Sequence, residues 1–172
     1  MSVTYESFFE LQLKLPVGNK RCSLEELIET YLSKEQVPYK CPICKKERQC
    51  VKQFEIVKLP HILIVTLERF YKDGNGSLHK MKNVVDFELK ENFGRFATAF
   101  EGRLNCFSDY NLDGICNHFT EYDSDSLESG HYTASCYSEV DRKWHEFNDE
   151  NVSEIKNVKK LEAYILFYSA KK

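Results

Sequence analysis

No stretch of the 172 residues approaches the ~20 consecutive apolar residues that a membrane-spanning helix requires. The opening Met1, Ser2, Val3, Thr4 lacks the basic start and apolar run of a signal peptide. These absences point to an intracellular protein, cytoplasmic or nuclear or both, with no membrane partner. Excess positive charge is missing too. With 24 Lys and Arg against 27 Asp and Glu, the net charge is −3. Nothing then draws the chain to a phosphate backbone, and nucleic acid is not an expected partner. Cysteine is present, but the seven residues are an odd number. In a reducing compartment Cys41-Pro-Ile-Cys44 reads as thiol or metal chemistry rather than as part of a disulfide framework. Internal repeats and low-complexity tracts are absent. The remaining composition, 42% hydrophobic and 30% charged, is that of one ordinary globular domain with a sizeable core.

Apolar residues alternate with Glu10, Gln12 and Lys14 from Phe9 to Leu15, a half-buried strand that Pro16 stops. Ser23 and Glu26 form a capping box, and Leu24, Leu27, Ile28, Tyr31 and Leu32 then repeat at helical spacing, which predicts a helix over 24–33. Gln53–Val57 alternates again. Ile62–Leu67 is a continuous apolar run, as expected of a strand buried on both faces. Asp73-Gly74-Asn75-Gly76 predicts a turn before a strand at Val84–Leu89, and residues 90–108 read as loop. Tyr110–His118, His131–Tyr137, Lys143–Phe147 and Ala163–Tyr168 complete the strands, while Glu121–Gly130 is a polar acidic loop. The fold class is α+β, mainly one bent antiparallel sheet with few helices.

The chemistry gathers in the last third. Gly130-His131-Tyr132 and Phe147-Asn148-Asp149 flank the polar turn 138–142, so the two strands fold back as a hairpin. A symmetric register places His131 opposite Asn148 with Cβ atoms roughly 4.5–5.5 Å apart. An amide oxygen at that position fixes the imidazole's tautomer and leaves the other ring nitrogen to take a proton from a thiol. Glycine before the histidine permits close backbone approach, which suits the wall of a narrow channel. Spacing alone leaves a surface cross-strand pair open as the other reading.

The run Ser129-Gly-His131-Tyr-Thr-Ala-Ser-Cys136, followed by Lys143-Trp-His-Glu-Phe-Asn148-Asp149-Glu-Asn-Val152, resembles the histidine box of ubiquitin-specific proteases. Lys58–Phe70, Lys80–Phe87 and Ala163–Tyr168 resemble further strands of that family, in family order. The resemblance implies a papain-like cysteine peptidase that cuts isopeptide bonds after the C-terminal glycine of ubiquitin. It implies a single partial catalytic domain over 1–172, with part of the fingers and a helix over about 1–60 and the palm sheet over about 61–172. His131 would be the general base and Asn148 its orienting partner. Asp149 would be a second polar group near the oxyanion or an alternative orienter. The acidic loop 119–130 stands where the family has a blocking loop. Expected partners are ubiquitin, ubiquitinated proteins and the N-terminal half of the domain.

The family's nucleophile lies in an Asn-Thr-Cys-type box, which Met1–Lys172 does not contain, so the thumb is expected to be missing and the chain inactive by itself. Glu68 and Ser135 are smaller departures from the family's pattern. Cys136 is five positions from His131 on one strand, on the opposite face and roughly 16 Å along. Cys22 and Cys106 have no support as nucleophiles. Catalysis requires no cofactor. Cys41 and Cys44 are two of the four ligands that a structural zinc needs, and Cys50, His61 and His79 are the candidate local helpers. The resemblance implies that the other cysteine pair lies upstream. Two other readings stay open from the sequence: a truncated relative that binds ubiquitin without cutting it, and a small zinc-ribbon module.

Overall fold

Helix α1 (Leu24–Leu32) begins where the capping box predicts. The Glu26 amide donates to Ser23 Oγ at 3.1 Å and the Ser23 amide donates to the Glu26 carboxylate at 2.7 Å. Two of the N–H groups that every helix start leaves open are thereby satisfied. The buried side chains of α1, Leu24, Leu27 and Ile28, face strand β1 (Leu11–Lys14). These details come from a computed structural model that describes residues 2–18, 20–98, 107–120 and 130–171.

Strands are numbered in chain order. The main sheet runs β1, β5 (Ile62–Glu68), β14 (Ala163–Ala170), β10 (Asp109–Thr120), β11 (Gly130–Ser138), β12 (Lys143–Asn148) and β13 (Asn151–Ile155), with β9 (Lys90–Asn92) against β10. Three small pairings surround it. β2 (Cys22–Ser23) runs parallel to β8 (Val85–Asp86), while β3 (Glu35–Lys40) with β4 (Glu47–Lys52) and β6 (Phe70–Lys72) with β7 (Leu78–Lys80) form hairpins. The α+β architecture expected from the sequence is the one observed. One pair in the main sheet departs from it, because β1 joins β5 in parallel. Through that pair the first sixty residues contribute a strand to the palm sheet.

The inner face of the sheet carries the core, in which Leu13, Val65, Leu67, Leu166 and Tyr168 are fully buried. Phe93 packs edge-on against both Tyr110 and Tyr168. The outer face differs. Thr66, Ile165, Cys116, Ala134, Phe147 and Val152 stand in one cross-strand row over six strands. The row passes from buried Thr66 to half-buried neighbours and ends at exposed Phe147 and Val152. Ile62–Leu67 is therefore not buried on both faces: Leu63, Val65 and Leu67 point inward, while Ile62 is exposed and Ile64 half-buried.

Other expectations change as well. Gln53–Val57 is not a strand; it makes a single bridge, Ile56 to Ala97. Its place is taken by the hairpin of β3 and β4, whose side chains are all exposed or half-buried and so show no alternation. The segment 84–89 reduces to the two-residue β8. Residues 90–98 hold β9 and a 3-10 turn, Phe93–Phe96, rather than loop. The acidic segment 121–129 and Cys106 lie outside the described residues.

Candidate active site

β11 and β12 form the expected hairpin, but with a shifted register. Ser138 pairs with Lys143, Cys136 with His145 and Ala134 with Phe147. Continuing that ladder sets Asn148 opposite Thr133 rather than His131. The turn therefore sits one residue later in the chain than a symmetric reading assumes. Arg142 takes a positive φ of 59° there, and its amide donates to the Ser138 carbonyl at 2.8 Å. His131 and Asn148 become diagonal neighbours on one face, ~7–8 Å apart at the backbone and within reach of long side chains. They do meet: His131 Nε2 donates to Asn148 Oδ1 at 2.6 Å. An amide oxygen can only accept, so this bond places the ring proton on Nε2. Nδ1 carries the lone pair and has no partner among the described residues.

Asp149 stands farther off. Its carboxylate is 4.0 Å from His131 Nε2 and its side chain is 76% exposed. It occupies the tight turn between Asn148 and Asn151 with a φ of 52°, a left-handed conformation that Asp tolerates better than most residues. The three residues singled out from sequence are thus gathered at one end of the hairpin, with Asn148 in direct contact and Asp149 behind it.

Among the described residues no thiol accompanies them. Cys136 lies on the opposite side of β11, beside Gly114 and His145 in register, and burial pushes its thiol pKa up. Cys22 is buried, and its thiol pKa is raised first by that burial and then by Glu26. Ser135, a departure from the family pattern, is fully buried and accepts from Asn117 Nδ2 at 3.1 Å. The same amide reaches Thr133 at 3.3 Å, so a buried polar ladder runs along the strand that presents His131. Glu68 ends β5 opposite Lys14.

Sequence reasoning missed the group beneath the histidine. His118 on β10 pairs directly with Tyr132, and the residue is only 4% exposed. Phe70 and Tyr132 pack on that ring at centroid distances of 5.2 and 4.6 Å, with Tyr164 at 6.4 Å. Lys80 donates to the His118 carbonyl and pairs with Glu162 at 3.2 Å. No local pattern marked it, because Asp109, Asn111, Asp113 and Asn117 make β10 a strand of mixed polarity in which one more polar residue does not stand out.

Cys41 and Cys44 sit in the turn joining β3 to β4. The Lys45 amide donates to the Cys41 carbonyl at 2.9 Å and the Cys41 amide to the Lys46 carbonyl at 3.0 Å. Hydrogen bonds from the Cys44 and Ile43 amides, and from the Cys44 thiol, hold the Cys41 thiol pKa below its ordinary range. Such a thiol favours the thiolate that a metal requires. Cys50, His61 and His79 do not complete the set: no group of three or more His, Cys, Asp or Glu side chains suited to a metal occurs among the described residues. His79 pairs instead with Asp73 at 3.0 Å.

Residues 7–168 match the profile of the family described as ubiquitin carboxyl-terminal hydrolase. The chain is 34% identical over 178 residues to ubiquitin carboxyl-terminal hydrolase Usp2 of Drosophila melanogaster, covering 97% of this chain and 18% of that protein. It is 32% identical over 177 residues to ubiquitin carboxyl-terminal hydrolase 2 of Gallus gallus, covering 97% of this chain and 46% of the relative. Among solved structures it is similar to the SAGA Ubp8/Sgf11/Sus1/Sgf73 DUB module bound to ubiquitin aldehyde. The TM-score is 0.76 and the identity 30%, over 96% of this chain and 36% of the matched one. A structure of the yeast SAGA DUB module gives a TM-score of 0.77 at 30% identity over the same shares. The chain spans less than half the length of these relatives. With its histidine hairpin and palm sheet, it belongs to the ubiquitin carboxyl-terminal hydrolase family.

Proposed function

We propose that the protein carrying this sequence is a thiol-dependent ubiquitin isopeptidase, and that these residues supply its general base and orienting amide. The observation that carries this reading is the 2.6 Å bond from His131 Nε2 to Asn148 Oδ1, which leaves Nδ1 as the proton acceptor. The nucleophilic cysteine would come from an N-terminal half of the domain. Its thiol gives its proton to His131 Nδ1, and the thiolate attacks the carbonyl carbon of ubiquitin's last glycine. The C–N bond breaks as the imidazolium returns its proton to the leaving lysine amine. Water then opens the thioester, its proton passing through His131, and the thiol is restored. By itself this chain would be inactive.

The outer face of the sheet supports the two-part reading. A row of half-buried apolar side chains ending at exposed Phe147 and Val152 is the kind of surface that a further layer covers. Ubiquitin and ubiquitinated proteins would be the partners, and cytoplasm or nucleus the setting.

The full natural polypeptide is expected to release the fluorophore from a ubiquitin C-terminal amide, and residues 1–172 alone are expected not to. Cleavage by residues 1–172 alone would overturn the division of labour. Ubiquitin binding by the full polypeptide without any cleavage would favour a non-hydrolytic ubiquitin binder.

Cys41 and Cys44 fit half of a structural zinc site, and would hold the ion together with a second cysteine pair from the N-terminal half. Bound there, zinc would stiffen the hairpin of β3 and β4 and take no part in the chemistry. Metal analysis of the full polypeptide should find about one zinc per chain, and Cys41→Ser with Cys44→Ser should reduce it to near zero. Unchanged zinc content in that variant would reject the assignment.

A further inference from the structure

We propose that His118 is a positioning residue for the catalytic base, acting through the bare Cα of Gly130; the proposal rests on the hydrolase reading above. Gly130 is the first residue of β11 and the immediate neighbour of His131. Its backbone lies outside the positive-φ region, which among the described glycines holds Gly18 and Gly76, so conformation does not demand glycine there. Space does. A Cβ built at Gly130 would overlap His118 Nε2 and would stand 3.1 Å from Cε1 and 3.4 Å from Cδ2 of the same ring. The close approach expected of this glycine is thus to a side chain from the neighbouring strand.

That ring cannot easily give way. The His118 amide donates to the Glu162 carbonyl at 2.9 Å, and its carbonyl accepts from Lys80. Phe70, Tyr132 and Tyr164 enclose the imidazole. Its Nδ1 is buried with no hydrogen-bond partner among the described residues, so packing rather than a hydrogen bond at that atom holds the ring. Burial, and then the nearby Lys80 ammonium, push its pKa down, which keeps the ring neutral and fit for an aromatic enclosure. The strand end resting on this fixed plate leads directly to His131, whose side chain must meet Asn148 on one side and a thiol on the other. A displacement of about 1 Å in such an arrangement is enough to cost ~10²-fold in rate.

A double-mutant cycle tests the pair in the full natural polypeptide, with kcat and KM measured on a fluorogenic ubiquitin amide. Gly130→Ala should lower kcat about 10²-fold with KM within about twofold. His118→Ala should lower it about tenfold, and adding Gly130→Ala to that variant should cost nothing further, because the obstructing ring is gone. A structural role unrelated to the base would instead give losses that multiply, or a KM rise at constant kcat, and either result overturns the proposal. Long-range proton–nitrogen NMR of the His131 imidazole supplies a readout independent of turnover. The Nε2–H tautomer should dominate in the wild type, become mixed in Gly130→Ala and return in the double variant. Should the wild type not cleave the probe, the isopeptidase reading fails while the NMR cycle still decides the coupling. A His131 tautomer indifferent to Gly130→Ala would end it.

Discussion

Replacing His131 with alanine in the full polypeptide should lower kcat by about 10⁴-fold while ubiquitin affinity stays within a few-fold. The loss corresponds to about 5 kcal/mol of transition-state stabilisation. It arises because a thiol without its base is largely protonated at neutral pH, and because the leaving amine would have no proton donor. The two candidate orienters should then separate. Asn148 touches Nε2 at 2.6 Å, whereas Asp149 is 4.0 Å away and mostly in solvent. Asn148→Ala should therefore cost about 10²-fold and Asp149→Ala less than about tenfold, since exposed charges at that range interact weakly. Steady-state kinetics paired with a ubiquitin titration checks all three variants. Activity that survives His131→Ala, or a larger loss at Asp149 than at Asn148, would contradict the assigned roles.

The second large effect concerns stability. Arg69 is fully buried, a rare position for a guanidinium, and no carboxylate lies within ion-pair distance among the described residues. Three carbonyls hold it instead: Ala163 at 2.6 Å from Nε, and Asn83 at 2.8 Å and Met81 at 3.3 Å from Nη1. Asn83 in turn donates to the carbonyls of Pro16 and Lys20. This node joins the end of β5, the start of β14, the segment after β7 and the loop after β1. Arg69→Met keeps much of the volume but strands three buried acceptors, at about 1–3 kcal/mol each before relaxation. The expected loss is about 3–5 kcal/mol, measured as a fall in the urea midpoint with little change in slope. A change under about 1 kcal/mol would show that the carbonyls find other partners and that the node is dispensable.

Both sites differ in how far the chain announced them. α1 was legible because a capping box and a helical stripe are local signals, and the structure reproduces both bonds. The hairpin of β11 and β12 was legible for the same reason, since its turn is polar and its arms alternate. Its register was not. Symmetry about the turn assumed direct pairing, whereas the Arg142 turn moves the ladder and makes the contact diagonal. β3, β4 and β13 escaped because their side chains face solvent and carry no period of two. The parallel partnership of β1 with β5 joins residues more than fifty positions apart, and nothing local encodes it. His118 and Arg69 were invisible as a support and a node for a related reason: each acts on backbone brought to it from elsewhere in the chain.

The order of the strands in the main sheet has a further consequence, for biosynthesis. β14, the last strand in chain order, lies between β5 and β10, near the middle of the sheet. As the chain leaves the ribosome, β1 with β5 and the later group from β10 to β13 can each form, but they share no hydrogen-bonded edge until β14 arrives. Until then two open edges with apolar faces wait side by side, the condition under which nascent chains aggregate or recruit chaperones. The histidine hairpin belongs to one of these halves and Arg69 to the other. The final strand therefore joins the part of the molecule that carries the chemistry to the part that carries the node.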